Sequence, residues 1–167
     1  MPAAVSRLIV VRARTSDGGS PMSKVSEEIE RLFNGGEEFV YVDEYADALA
    51  RFNAAWDLLP EPKEEGEMAV QILAAIADCH FFLKEWDGCR KAVQQAFRCG
   101  ADLDNPFFRL RLGQSVYELG DEREAANWLV PVYLMEGRKL FEGEDPKYLE
   151  FFRDKLRPPE GGWPEGW

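Results

Sequence analysis

A chain of 167 residues with 46% hydrophobic and 13% aromatic content is long and apolar enough for one globular domain with a core, which excludes wholesale disorder. Its formal charge of −11 is uneven, because residues 1–26 carry +3 and the rest of the chain carries −14. A body this acidic repels nucleic acid and attracts basic surfaces, so the charge favours a protein partner.

The cysteines and the single histidine argue against a metal site or a disulfide framework. Cys79, Cys89 and Cys99 lie ten residues apart, form no C-x-x-C pair and are accompanied only by His80. Free thiols are typical of a reducing compartment. No apolar run is long enough for a signal peptide or a membrane span, so we expect a cytoplasmic protein with no membrane partner.

Residues 1–24 differ in composition from the rest of the chain. A short β-prone run at residues 8–11 is followed by the polar, glycine-rich residues 15–21. We interpret residues 1–24 as a loosely attached extension, either disordered or an artefact of the start site, since Met22 would also serve as a start.

The first pair of helices is predicted between residues 26 and 59. Ser26 is expected to cap a helix whose first turn is rich in glutamate, and Gly35-Gly36 is expected to weaken it. Apolar residues at helical spacing resume at Tyr45 and end at Pro60.

The central pair is predicted at residues 72–97. Its first half is apolar on nearly every face, which indicates a central helix, and its second half is amphipathic and should cover the first from one side. A third pair opens with Asn105-Pro106, an N-cap followed by proline at the first helical position, and its second helix contains Pro131. Asp145-Pro146 opens a last amphipathic helix, and residues 158–167 form a tail rich in glycine, proline and tryptophan.

The three predicted hairpins share one residue template. Their turns align at residues 42–45, 83–86 and 119–122, with spacings of 41 and 36 residues. Each turn is followed by a small residue, then a large apolar residue, then a second small or β-branched residue: Ala48, Phe52 and Ala55; Cys89, Val93 and Ala96; Ala125, Leu129 and Val132. Such a template is typical of stacked helical hairpins that make one continuous core.

These motifs resemble the tetratricopeptide repeat (TPR). Leu112-Gly113 matches the leucine-glycine pair of that motif, residues 119–121 match its turn, and residues 45–55 with Pro60 match its second helix and closing proline. The resemblance implies an all-α, right-handed superhelix of three TPR-like hairpins over residues 25–157, with the last helix as a cap. The positions of Gly35-Gly36 and Ile76-Ala77 depart from the motif.

A narrower resemblance concerns five short stretches. Residues 58–62, 72–78, 105–107, 110–114 and 141–151 are similar to small bacterial TPR proteins encoded beside polymorphic toxins, which are presumed immunity proteins. This resemblance implies an immunity protein that binds a secreted toxin, with a basic toxin domain as the partner that suits its acidity. The alternatives are a chaperone of the type III translocator class, which is similar in size and acidity, and a general TPR adaptor.

No constellation of residues predicts an enzyme, a cofactor or a metal. His80 lies on the most apolar helix without an evident nucleophile or acid partner, and no glycine loop has the context needed for phosphate binding. The expected function is binding, at a concave face lined by the first helix of each hairpin. On this face we expect acids and aromatic rings suited to Lys or Arg of a partner: Tyr41, Gln71, Asp78, Phe81, Gln114, Tyr117 and Glu118. Charge reversal at Asp78 or Glu118 is expected to weaken binding without unfolding the protein.

Overall fold

The fold is all-α in a computed structural model that describes residues 21–165. Seven α-helices follow one another: α1 Pro21–Tyr41, α2 Tyr45–Leu58, α3 Ala69–Phe82, α4 Trp86–Arg98, α5 Pro106–Glu118, α6 Glu122–Glu136 and α7 Lys147–Arg153. Short 3₁₀ turns lie at Lys63–Glu65 and Gly137–Phe141, and residues 21–165 contain no β-strand. The predicted fold class and the seven predicted helices are confirmed.

The three hairpins α1–α2, α3–α4 and α5–α6 close through the same turn. In each turn one residue has a left-handed backbone, namely Asp43 (φ 61°), Lys84 (φ 60°) or Gly120 (φ 92°). The next amide then donates to the carbonyl five residues earlier, from Glu44 to Phe39, Glu85 to His80 and Asp121 to Val116, at 2.8–3.2 Å. This 6→1 bond defines a Schellman motif and satisfies a carbonyl at the end of the first helix.

The repeated template forms the core of every hairpin. All nine template residues of α2, α4 and α6 are at most 1% exposed. A glycine of the first helix lies against the large residue of the second in two hairpins: a Cβ on Gly36 would lie 2.5 Å from Phe52, and one on Gly113 would lie 2.5 Å from Leu129. The same offset places Ala77 opposite Val93. The helices therefore pack in one register along the chain.

The hairpins pack in chain order, because α2 lies against α3 and α4 lies against α5. Helix α3 contacts α2, α4 and α5, and nine of its fourteen residues are buried. Its nearly continuous apolar surface explains this central position, as predicted. The right-handed superhelical sense remains a prediction.

The first helix differs from the prediction at its start. Pro21, the first described residue, is already helical, and Ser26 lies inside α1, with its hydroxyl donating to the Met22 carbonyl at 3.1 Å instead of capping the helix. The helix also continues through Gly35 and Gly36. Gly36 has no Cβ, which lets α1 approach the Phe52 ring closely. The predicted extension and its β-prone run at residues 8–11 lie mostly outside the described residues.

The predicted starts of the last helices are confirmed. The Asn105 side chain accepts from the Phe107 amide at 2.9 Å, with Pro106 at the first helical position. The Asp145 carboxylate accepts from the Lys147 amide at 3.1 Å at the start of α7. In residues 21–165, no helix combines the length and the hydropathy that a bilayer crossing requires.

Candidate functional site

An arginine at the centre of a buried polar network joins α3, α5 and the segment before α7. Arg111 of α5 is 1% exposed, and its Nε donates to Asp78 Oδ1 of α3 at 2.6 Å. Its Nη1 donates to both oxygens of Glu144 at 3.1 Å and to Gln114 Oε1 at 2.8 Å. One guanidinium thus bridges two carboxylates from parts of the chain 33 residues away on either side.

Aromatic rings surround the guanidinium. Its Cζ lies 4.1 Å from the centroid of the Phe81 ring and within 6 Å of the Phe82 and Phe107 rings. Rings that face a cation attract it and exclude water. Burial by itself lowers the pKa of Arg111, but the charges of Asp78 and Glu144 outweigh this effect and hold the pKa above its usual value.

A second, shallower set of contacts lies further along α5. Glu118 accepts from the Tyr148 hydroxyl at 2.5 Å and pairs with the Lys147 ammonium at 2.6 Å. The Tyr117 ring lies 5.7 Å from the Tyr148 ring and 4.7 Å from the Phe151 ring. Burial and the bond to Glu118 raise the pKa of Tyr148, and the bond to Glu118 also raises the pKa of Lys147.

Together these contacts define one surface and the segment that covers it. We call Asp78, Phe81, Arg111, Gln114, Tyr117 and Glu118 the α3–α5 face, and we call residues 141–152 the C-terminal segment. Glu144, Lys147, Tyr148 and Phe151 are the side chains of the segment that contact this face. The surface that the sequence predicts to hold a partner therefore holds a part of the same chain.

The structure brings five of the seven predicted site residues together. Asp78, Phe81, Gln114, Tyr117 and Glu118 all belong to the α3–α5 face. The other two lie elsewhere: Tyr41, at the end of α1, is 87% exposed, and Gln71, near the start of α3, is half-buried.

The expectation that Asp78 is an open position tolerant of charge reversal is wrong. Asp78 is 8% exposed and Gln114 is 0% exposed, because Arg111 and Glu144 bond to them. A lysine at position 78 would place its ammonium group beside a buried guanidinium, which destabilises the fold. Glu118 is also engaged, with a side chain that is only 17% exposed.

Sequence reasoning missed Arg111 and Glu144, the two residues that complete the network. Arg111 lies between Leu110 and Leu112, two residues after Arg109, and a charged residue flanked by leucines on a predicted packed helix was the available signal. Glu144 lies in an acidic loop that carries no local indication of its distant partner. Only the folded structure, which brings Glu144 to Arg111 across 33 positions of sequence, identifies this carboxylate as part of the network.

The single histidine, His80, packs within the α3–α4 hairpin and pairs there with a carboxylate. His80 Nδ1 lies 2.6 Å from Glu85 Oε2 across the α3–α4 turn, and a Cβ on Gly88 would lie 2.6 Å from the same nitrogen. Within the described part of the chain, no group of three or more His, Cys, Asp or Glu side chains is placed to hold a metal ion.

The charge of the chain is concentrated on the first hairpin and on the loop that follows it. Residues 25–67 contain thirteen acidic and three basic residues, or −10 of the net −11. Eleven of those carboxylate side chains are exposed and two are half-buried. The exposed ring of Tyr41 lies among them at the α1–α2 turn, next to Val42, which is 57% exposed.

Comparison with protein-family models and with curated proteins found no match for this chain.

Proposed function

We propose that this chain is a TPR-like protein-binding module, and that it acts as an immunity protein that captures a basic toxin domain in the cytoplasm. The observation that carries the proposal is the charge of residues 25–67, which comprise the first hairpin and the loop after it, where thirteen acidic residues accompany only three basic ones. Complementary charge of this kind speeds diffusional capture and orients the partner. The same field disfavours nucleic acid as a partner.

The surface around the α1–α2 turn suits this role. Glu37 and Glu38 lie one turn before Tyr41 on α1, so carboxylates border an exposed aromatic ring. An Arg or Lys of a partner can pair with the carboxylates while its charge lies over the ring. Aromatic residues at the centre of an interface often supply much of the binding energy.

The experiment uses the toxin domain that the proposal expects the neighbouring gene to encode. We expect the purified chain to inhibit that domain at a stoichiometry near one to one. The double variant Glu37→Lys/Glu38→Lys should lower the association rate constant at least tenfold at low salt and flatten its salt dependence. Stopped-flow fluorescence measures both quantities.

A matched control separates local from overall charge. The double variant Glu136→Lys/Glu150→Lys changes the net charge by the same amount at exposed positions outside the first hairpin. It should associate nearly as fast as the wild type. Absence of inhibition, or equal slowing in both double variants, would contradict the proposal.

A chaperone for secretion-system substrates is the second candidate, and one observation favours it. The α3–α5 face already holds a chain segment through buried and half-buried polar contacts, as a chaperone holds a segment of its substrate. A chaperone should protect a short segment of an otherwise unfolded partner from hydrogen exchange. An immunity protein should protect a patch on a folded domain.

A further inference from the structure

The C-terminal segment is attached to the rest of the protein in two separate layers. One layer is apolar and rests on α6, where the Tyr133 ring lies 6.2 Å from the Phe141 ring and 5.9 Å from the Phe152 ring. The other layer rests on the α3–α5 face and consists of Glu144, Lys147, Tyr148 and Phe151. The first layer can keep the segment attached while the second layer separates from the face.

Charge complementarity governs the second layer. The α3–α5 face presents the cation Arg111 and, two helical turns further along α5, the anion Glu118. The segment presents the opposite charges in the matching order, with Glu144 on Arg111 and Lys147 on Glu118. The aromatic rings of Tyr148 and Phe151 then follow three residues apart on one face of α7, whereas Glu144 lies in the turn before this helix.

This layer is anchored by the buried Arg111–Glu144 ion pair and the buried Tyr148 ring, but several features weaken the rest of it. Helix α7 has seven residues, too few to be stable without tertiary contacts. Of residues 142–146, which precede it, four are exposed and only Glu144 bonds to the face. The Lys147–Glu118 pair is partly exposed, with 40% of the lysine side chain accessible. Exposed ion pairs contribute little to stability.

We propose that the C-terminal segment is an exchangeable occupant of the α3–α5 face, and that the face binds in its place a helical segment of a protein partner with the same chemistry. Such a segment carries a carboxylate, then an ammonium group and an aromatic ring about one turn later, and a second ring after a further turn. Binding at this face is thus regulated by release of the chain's own segment.

The test is a peptide competition with the full chain. A fluorescent peptide with the sequence of residues 140–157 is titrated with the wild type and with the variant Glu144→Ala, and anisotropy measures binding. The variant loses the carboxylate that holds its own segment, but Arg111 keeps Asp78 and Gln114 as partners. The open fraction is the fraction of molecules whose C-terminal segment has left the α3–α5 face. If this fraction rises tenfold, the apparent Kd for the peptide falls tenfold, and we expect at least this change.

Three controls make the result specific. Glu150→Ala removes an exposed carboxylate of α7 and should bind the peptide as weakly as the wild type. A peptide that itself carries Glu144→Ala should not bind the Glu144→Ala protein more tightly than the wild type. Tyr148→Phe in the protein removes only the hydroxyl bond to Glu118 and should give a smaller gain, which keeps the test valid if the first variant folds poorly.

Hydrogen exchange reports where the peptide binds. Bound peptide should speed exchange of the α7 amides in the full chain, because their segment is displaced. Equal peptide affinity for the wild type, Glu144→Ala and Tyr148→Phe, or unchanged protection of α7 in the complex, would overturn the proposal. The outcome is independent of the toxin experiment, which depends on the first hairpin and not on this face.

Discussion

Replacement of Arg111 by methionine tests the buried network most directly. Methionine keeps much of the apolar contact with the Phe81 ring but removes the guanidinium that bonds to both Asp78 and Glu144. Removal of one member of a buried ion pair costs about 3–5 kcal/mol, because the remaining charge is left without compensation. Here two carboxylates are left, so we expect a loss at the upper end of that range at pH 7.

Urea unfolding at pH 7, followed by circular dichroism at 222 nm, measures the loss. Arg31→Met is the matched control, since Arg31 forms an exposed pair with Glu28 on α1 and its loss should cost less than about 1 kcal/mol. A loss of less than about 1 kcal/mol for Arg111→Met would refute the reasoning.

Two further predictions concern the core. Gly36→Ala should lower the free energy of unfolding in urea by about 1–3 kcal/mol, because its Cβ would overlap the Phe52 ring. The adjacent Gly35→Ala has open space around its Cβ and should raise the free energy of unfolding by up to about 1 kcal/mol. Equal effects of the two substitutions would contradict the packing register. Burial raises the pKa of Cys79 to about 12 and that of Cys89 to about 11, so a thiol reagent at pH 8 should modify Cys99 first and the other two only on unfolding. Rapid modification of all three thiols in the folded protein would contradict this prediction. The unfolded thiols ionise near pH 9, whereas the two buried thiols of the folded protein do not. The free energy of unfolding should therefore fall above pH 9 by about 1.4 kcal/mol per pH unit for each buried thiol.

The sequence by itself determined the hairpins and their register. Turns at residues 42–44, 83–85 and 119–121, and the template residues that follow them, are local signals with helical spacing, and such signals depend only on residues a few positions apart. The burial of Ala48, Cys89 and Ala125 at 0% exposure follows from that pattern. The central position of α3 was predictable for the same reason, since its apolar surface needs neighbours on several sides.

Only the tertiary structure decided what covers the predicted binding face. Asp78, Gln114 and Glu118 were correctly placed on one surface by helical geometry, but Gln114 and Glu118 are covered by residues 30 positions later, and Asp78 is bonded to Arg111, 33 positions later. A buried charge is stable only beside its partner. The pairing of Arg111 with Glu144 is therefore a property of the assembled fold, and no local pattern around either residue specifies it.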